Sequence, residues 1–229
     1  MLKTRPSLIF SGLLWGLLFS RGMLIAQAPE QQGNAAKNYR ELVASLASPN
    51  EKATTKHGAE PQVRFPAGYD VEAQRRIDHT RKQLQDNFED ALPFLVEAMD
   101  DSRYCMTVSW AEGDAYYNYS VGAVCRDIIA SQLEVYRNTI RFSDAPHWNR
   151  YNYPLISTQQ MKKRAGRSLA ELQVEAIDWA INKLDTAGNR QNDGDKTAVA
   201  ELKKLRTDIL ESGIPAKPNR LLRPVFRGK

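Results

Sequence analysis

The chain has 229 residues, 42% of them hydrophobic, and a formal net charge of +5, which suits one domain with a real core. The excess of positive charge lies at the two ends, because residues 1–28 contain three basic and no acidic residues, and the last fourteen contain Lys217, Arg220, Arg223, Arg227 and Lys229 without an acid. Residues 29–215 carry a net charge of about −3, so the composition argues against a nucleic-acid-binding protein, which needs a basic stripe on its folded domain.

The first 28 residues have the layout of a secretory signal peptide. Lys3 and Arg5 precede an apolar run over residues 8–19, and Ala26-Gln27-Ala28 is a cleavage pattern of small residues. The run is shorter than the roughly 20 residues of a spanning helix. We therefore expect an exported protein, periplasmic or extracellular. Arg21 and Pro29 are poor features for cleavage and leave a retained N-terminal membrane anchor open as the alternative.

Cys105 and Cys125 are the two cysteines of the chain. An oxidising compartment permits a disulfide between them. Cys125 also lies at helical spacing with Val121, Val124 and Ile128, where a free thiol packs as a small hydrophobic side chain. The sequence therefore allows either a disulfide or two free thiols.

Apolar residues at helical spacing predict a first helix over 35–47, with Tyr39, Leu42, Val43 and Leu46 on one stripe. Residues 50–69 contain two prolines and two glycines and are predicted to form a linker. Asp70 is the expected N-cap of a second helix that ends near Asp86.

A third helix is predicted after a tight turn at Asn87 and Phe88. With Asp90 as its N-cap, Pro93 would take the third helical position, where no intrahelical hydrogen bond is lost. Leu92, Leu95, Val96 and Met99 then form a broad apolar stripe, which needs cover from more than one side.

These two helices and the segment ALPFLVEAMDDSR, residues 91–103, resemble the helical hairpin of HEAT or armadillo-type repeats. The segment RELVASLASPNEK, residues 40–52, has a similar ending. The resemblance covers residues 40–103 and the helix that follows. It implies an all-α fold of stacked antiparallel helical hairpins, irregular in this case, and a protein that acts by binding.

Two stretches rich in aromatic residues flank the next predicted helix, which starts at Ser120 as N-cap. The stretch 104–119 contains Tyr104, Trp110, Tyr116, Tyr117 and Tyr119 beside Glu112 and Asp114, and the stretch 138–154 contains Trp148. Both are predicted to be long loops, although residues 106–110 also have strand character. Because they flank one helix, we expect the two loops to lie near each other.

Further helices are predicted from Ser157 or Thr158, from a capping box at Ser168 and Glu171, and over 196–212 with Gly213 at its C-terminal end. The predicted organisation is a signal peptide at 1–28, an N-terminal helix and linker at 29–69, a helical core domain at 70–214 and a basic, proline-containing tail at 215–229.

Patterns for metals, cofactors and nucleophilic catalysis are missing. The segment GNRQNDGDKT at 188–197 lacks the contiguous Gly-Lys-Ser/Thr of a phosphate-binding loop and the twelfth-position carboxylate of an EF-hand. His57, His79 and His147 have no partner at ligand spacing. We expect no cofactor and no metal.

The sequence therefore favours an exported binding or scaffold protein of the cell envelope, whose partner is a protein or an envelope polymer and whose contact residues are Trp110, Tyr116, Tyr117 and Trp148. A second hypothesis is a carbohydrate-binding or glycan-hydrolysing protein that uses Glu112 and Asp114, because aromatic faces stack on sugars and two carboxyl groups cleave glycosidic bonds. The basic tail could also contact an anionic membrane surface.

Overall fold

The structure, a computed structural model, describes residues 38–57, 60–110, 115–139, 156–186 and 193–226. A helix over residues 38–44 (α1) comes first. It is followed by β1 (Thr54–Lys56), β2 (Gln62–Arg64), α2 (Val71–Asp86), α3 (Phe88–Glu97), β3 (Tyr104–Trp110), β4 (Ala115–Ser120), α4 (Val121–Leu133), α5 (Tyr136–Thr139), α6 (Thr158–Lys162), α7 (Leu169–Asp185), α8 (Asp193–Ser212) and β5 (Arg223–Pro224).

The prediction of an all-α fold of stacked helical hairpins is wrong, because the helices share the molecule with two antiparallel sheets. One sheet pairs β1 with β2, and the other has the strand order β4-β3-β5. The segments predicted as a linker and as an aromatic loop therefore contain strands. Aromatic residues favour strands, and the last four residues of β4, YNYS, alternate aromatic and polar side chains, which suits a pleated surface better than an irregular loop.

The hairpin of β3 and β4 separates two packing layers. Met106 lies opposite Tyr119 and Val108 opposite Tyr117, so these four side chains share one face of the sheet. Met106 and Val108 are fully buried in the main core. Tyr116 lies on the other face and joins a second, smaller cluster with residues of the β1–β2 region.

The helical pair α2 and α3 is present, with one error in its predicted boundary. Asp70 caps α2 as expected, and its side chain accepts a hydrogen bond from the Ala73 N–H. However, α3 begins at Phe88 with Asn87 as N-cap, so Pro93 lies inside the helix and not in its first turn. Phe88 is 3% exposed, and the burial of its ring accounts for the earlier start.

Helix α4 is the centre of the main core and contacts α2, α3, α7 and both long strands. Its N-cap is Ser120, as predicted, and Val124, Ile128 and Ile129 are fully buried. The predicted capping box of Ser168 and Glu171 on α7 is also confirmed. Gly213 follows α8 with a φ of 67°, a left-handed conformation that glycine adopts without strain.

The C-terminal segment (residues 213–226) crosses this core in extended conformation. Two glutamine side chains, one buried and one half-buried, hydrogen-bond to its backbone, which is outside regular helix or sheet over most of its length. The Gln173 side chain accepts from the Ala216 N–H at 2.7 Å and donates to the Ala216 carbonyl at 3.1 Å. Gln85 donates to the Asn219 carbonyl at 3.1 Å. The segment ends as β5, beside β3, where the Val225 N–H donates to the Thr107 carbonyl.

Candidate binding groove

One long face of α4 and the C-terminal segment are the two walls of a groove with a volume of about 570 Å³, within the range of pockets that bind small ligands or side-chain clusters. We call it the α4 groove. Residues three, four or seven apart on a helix share a face, and this spacing brings Ala123, Arg126, Asp127 and Ala130 of α4 to the first wall. Glu134 at the C-cap of α4, Arg137 of α5 and Tyr119 at the end of β4 extend this wall. The second wall consists of Asn219, Arg220 and Leu222, with Ile156 beside them.

Three hydrogen bonds fix the second wall to the first. The Asn219 N–H donates to the Ser131 carbonyl at 2.7 Å, and the Asn219 side-chain amide donates to the Glu134 carbonyl at 2.7 Å. The Leu222 N–H donates to Oδ2 of Asp127 at 3.4 Å. The groove is therefore part of the folded structure, provided that the C-terminal segment stays in place.

Three guanidinium groups line the groove, and they differ in their ion partners. Arg126 contacts Asp100 at 3.1 Å on the exposed side of α4. Arg137 forms an ion pair with the buried Glu134. Arg220 is exposed and forms no ion pair with any residue that the structure describes. Since a guanidinium carries five N–H donors, the first two also keep donors for a ligand.

A buried charge cluster contacts the groove residue Asp127. Arg81 of α2 is 2% exposed, and its Nη2 donates to Oδ1 of Asp78 at 2.8 Å. Its Nη1 lies 3.6 Å from Oδ2 of Asp127, and Lys82 contacts the other oxygen of Asp78 at 2.7 Å. Two carboxylates thus share one buried guanidinium, and Asp78 has the closer contact.

Burial raises the pKa of Asp127 to about 6, although Arg81 and the Leu222 N–H act in the opposite direction. Its side chain is 15% exposed, and the exposed part faces the groove. The pKa of Tyr119 is raised by burial and, to a lesser degree, by the negative charge of Asp127. A desolvated acid in a cleft is typical of a functional site.

The predicted contact residues do not assemble within the described part of the chain. Tyr116 is 4% exposed and packs between the two sheets, so its ring is a core group. Tyr117 points the opposite way, is 43% exposed and lies with its ring 5.1 Å from that of His57. The side chain of Trp110 and residues Glu112, Asp114 and Trp148 lie outside what the structure describes.

Cys105 and Cys125 are both free and fully buried. They lie on β3 and α4, respectively, within the main core. Burial raises the pKa of both thiols, that of Cys125 to about 12. In this structure both side chains act as core hydrophobic groups.

Within the described residues, no three His, Cys, Asp or Glu side chains are grouped as metal ligands would be, and no helix is long and apolar enough to cross a membrane. Lys217, Arg220 and Arg223 are exposed, whereas Arg227 and Lys229 lie outside the described range. Contact of this basic segment with an anionic membrane stays a prediction.

The residues of the α4 groove were missed at the level of sequence, although one signal was present. Arg81 lies in the inward stripe of α2 with Ala73, Ile77 and Leu84, at a position where an apolar residue is normal. A charged residue there indicates a buried ion pair, but the partner Asp127 is 46 positions away along the chain. Comparison of the chain with protein families, with curated proteins and with solved structures gives no match.

Proposed function

We propose that this is an exported binding protein whose α4 groove holds an acidic, extended segment of a protein partner. The observation that carries the proposal is the set of three arginines on the groove, of which Arg220 has no ion partner among the described residues. Guanidinium groups bind carboxylates through paired, charge-assisted hydrogen bonds. A carboxylate that enters the groove gains such a partner without breaking an ion pair between Arg220 and any residue that the structure describes.

The apolar part of the lining favours a peptide over a glycan. Ala123, Ala130, Ile156 and Leu222 offer aliphatic contacts, and Tyr119 is the one aromatic ring among the lining residues described. Sugar rings are held by flat aromatic faces, whereas aliphatic contacts suit the side chains of a peptide. A polymer of uronic acids is therefore the competing ligand in the test and not the proposed one.

Export is part of the proposal and rests on the pattern of residues 1–28. The structure describes none of these residues. Expression of the full chain in a bacterial host with a secretion pathway, followed by fractionation and N-terminal sequencing of the protein recovered outside the cytoplasm, tests this part. A mature N-terminus near residue 29 is expected, and recovery of the intact chain in the cytoplasm would contradict export.

Binding is tested with the mature chain, residues 29–229, and a soluble fluorescein-labelled peptide of glutamate, alanine and leucine. The anisotropy of the label should rise on binding, and a peptide with lysine in place of glutamate should not bind. Arg220→Gln removes this positive charge and should weaken binding about tenfold, the effect of one charge-assisted hydrogen bond.

Arg223→Gln is the matched control, because Arg223 is exposed on the same segment but does not line the groove. Its affinity should equal that of the wild type. Equal losses in the two variants would mean that the peptide binds by general charge and would contradict the groove. Tighter binding of an oligogalacturonate than of the peptide would assign the groove to an envelope polymer instead.

A further inference from the structure

Asp127 combines two roles in the described structure. Its carboxylate accepts the Leu222 N–H of the C-terminal segment, and it lines the α4 groove. Any acidic ligand in the groove therefore comes close to the Asp127 carboxylate, which carries a charge of the same sign. The repulsion between two carboxylates a few ångströms apart disfavours the state in which both are ionised.

The surroundings of Asp127 compensate its charge only in part. Among the described residues, Arg81 is the one buried cation near Asp127, at 3.6 Å, and Arg81 donates its hydrogen bond to Asp78 and not to Asp127. The charged and titratable groups around it are Asp78, Arg81 and Lys82 on α2, Tyr119 on β4, Arg126 and Glu134 on α4 and its C-cap, Arg137 on α5 and Arg220 on the C-terminal segment. Lys82 contacts Asp78, Arg126 contacts Asp100 and Arg137 contacts Glu134, so each of these cations already has another partner.

Taking up a proton at Asp127 leaves the closer ion pair of Arg81 in place. The Arg81–Asp78 pair at 2.8 Å remains intact, and one oxygen of a neutral carboxyl group still accepts the Leu222 N–H. The other oxygen, as O–H, becomes a donor for a ligand carboxylate. Burial already raises the pKa of this group to about 6, so the proton is available from solvent near neutral pH.

We propose that the α4 groove is proton-coupled: binding of an acidic segment is accompanied by proton uptake from solvent at the Asp127 carboxyl group, so that binding weakens as the pH rises. The proposal rests on the function proposed above. The direction of the pH effect follows from linkage. A ligand that binds the protonated protein more tightly raises the affinity of Asp127 for its proton, and protonation raises the affinity for the ligand by the same factor.

The test is a titration of the mature chain with the labelled acidic peptide between about pH 5.5 and about pH 8, a range that brackets the titration of Asp127. A second peptide with cysteic acid in place of glutamate removes titration of the ligand, since a sulfonate stays ionised throughout. For both peptides we expect an affinity about tenfold higher at the acid end, which corresponds to about one unit of pKa coupling. Calorimetry in two buffers of different ionisation enthalpy should show proton uptake at about pH 7 for the cysteic acid peptide.

Asp127→Asn keeps the acceptor for Leu222 and cannot ionise. Its affinity should be independent of pH and, at about pH 8, about tenfold higher than that of the wild type. Asp208→Asn, on the exposed side of α8, is the control and should keep the wild-type pH profile. The buffer comparison on the wild type needs no variant, so absence of proton uptake overturns the proposal even if Asp127→Asn is poorly folded.

Each outcome has a definite meaning. Wild-type binding that does not vary with pH, or a pH profile that Asp127→Asn retains, overturns proton coupling and leaves the binding function standing. Absence of binding for both peptides at every pH overturns the binding function itself.

Discussion

The backbone of Gly122, in the first turn of α4, lies directly against the Met99 carbonyl group that follows α3. A Cβ atom at Gly122 would overlap the carbonyl oxygen and carbon of Met99, and the Gly122 N–H donates to the Asp101 carbonyl at 2.9 Å. This contact sets the distance at which α4 packs on α3. The main core and the α4 groove lie on different faces of the same helix, so both depend on it.

Gly122→Ala should lower the free energy of unfolding by about 3 kcal/mol, because the obstacle is backbone and cannot move aside. Gly68→Ala is a useful comparison, since Gly68 has a φ of 76° but no atom within 4 Å of its added Cβ. It should cost about 1 kcal/mol, from backbone strain alone. Urea denaturation of both variants measures the difference. A smaller loss for Gly122→Ala than for Gly68→Ala would contradict the close approach.

Gln173→Ala should destabilise the protein by about 3 kcal/mol. The variant leaves the Ala216 N–H and two carbonyl groups without their partner, and each buried unpaired group costs about 1–3 kcal/mol. Gln83→Ala, at an exposed position of α2, should change stability by less than about 0.5 kcal/mol. Hydrogen exchange should also show faster exchange at Ala216 and Asn219 in the first variant. Unchanged exchange there would mean that the C-terminal segment does not depend on Gln173.

Asp127→Asn should stabilise the unliganded protein above about pH 6 and have little effect near pH 4. The pKa of Asp127 is about 6 in the folded state and ordinary in the unfolded state, so the unfolded chain releases its proton first as the pH rises. Stability that is present in acid is then lost as the pH rises through the folded pKa. The expected gain is about 2 kcal/mol at pH 8, measured by urea denaturation across the pH range. If Asp127→Asn destabilises the protein at pH 8, the attraction between the Asp127 carboxylate and Arg81 outweighs the cost of burying that carboxylate.

Glu175→Gln should be destabilising at neutral pH and neutral in acid. Hydrogen bonds from Arg164 hold the pKa of this carboxyl below its ordinary value, with a further contribution from Arg167. A lowered folded pKa gives stability that is present above the unfolded pKa and lost as the pH falls through the folded one. We expect a loss of about 1 kcal/mol at pH 7. Glu211→Gln, at an exposed position of α8, should show no such pH dependence.

The two thiols should be unreactive in the folded protein. Cys105 and Cys125 are fully buried and their pKa values are raised, and the reactive species is the exposed thiolate. With a chromogenic disulfide reagent at pH 8 we expect no release in native buffer and release from both thiols in guanidinium chloride without reductant. Fast labelling of the native protein would contradict the burial, and no labelling in denaturant would mean that the pair is oxidised.

Local patterns were sufficient for the starts of α2, α4 and α7. Asp70, Ser120 and Ser168 were predicted as N-caps and are confirmed, because a cap depends on a side chain and a backbone N–H within one turn of each other. Phe88 shows where such reasoning fails. Asp90 was the better cap by sequence, but burial of the Phe88 ring in the core moved the start of α3 and placed Pro93 inside the helix.

Local sequence patterns did not predict the strands and the α4 groove in the same way. Pairing of β3 with β4 involves neighbouring segments, yet β5 joins β3 from more than 100 positions away. β5 pairs with β3 through main-chain groups. These groups are identical in every residue type except proline. Arg81, Asp127 and Leu222 likewise come from three separate parts of the chain.

By itself, the amino-acid sequence determined the apolar helical faces, their caps and the pattern of an export signal, since each of these depends on side chains close together along the chain. Only the tertiary structure decided that the core contains sheet, that the basic C-terminal segment lies against α4, and that three arginines and a partly compensated aspartate meet there. The physical reason is that these features come from main-chain pairing and from charges brought together across long separations, for which no local pattern in the sequence exists.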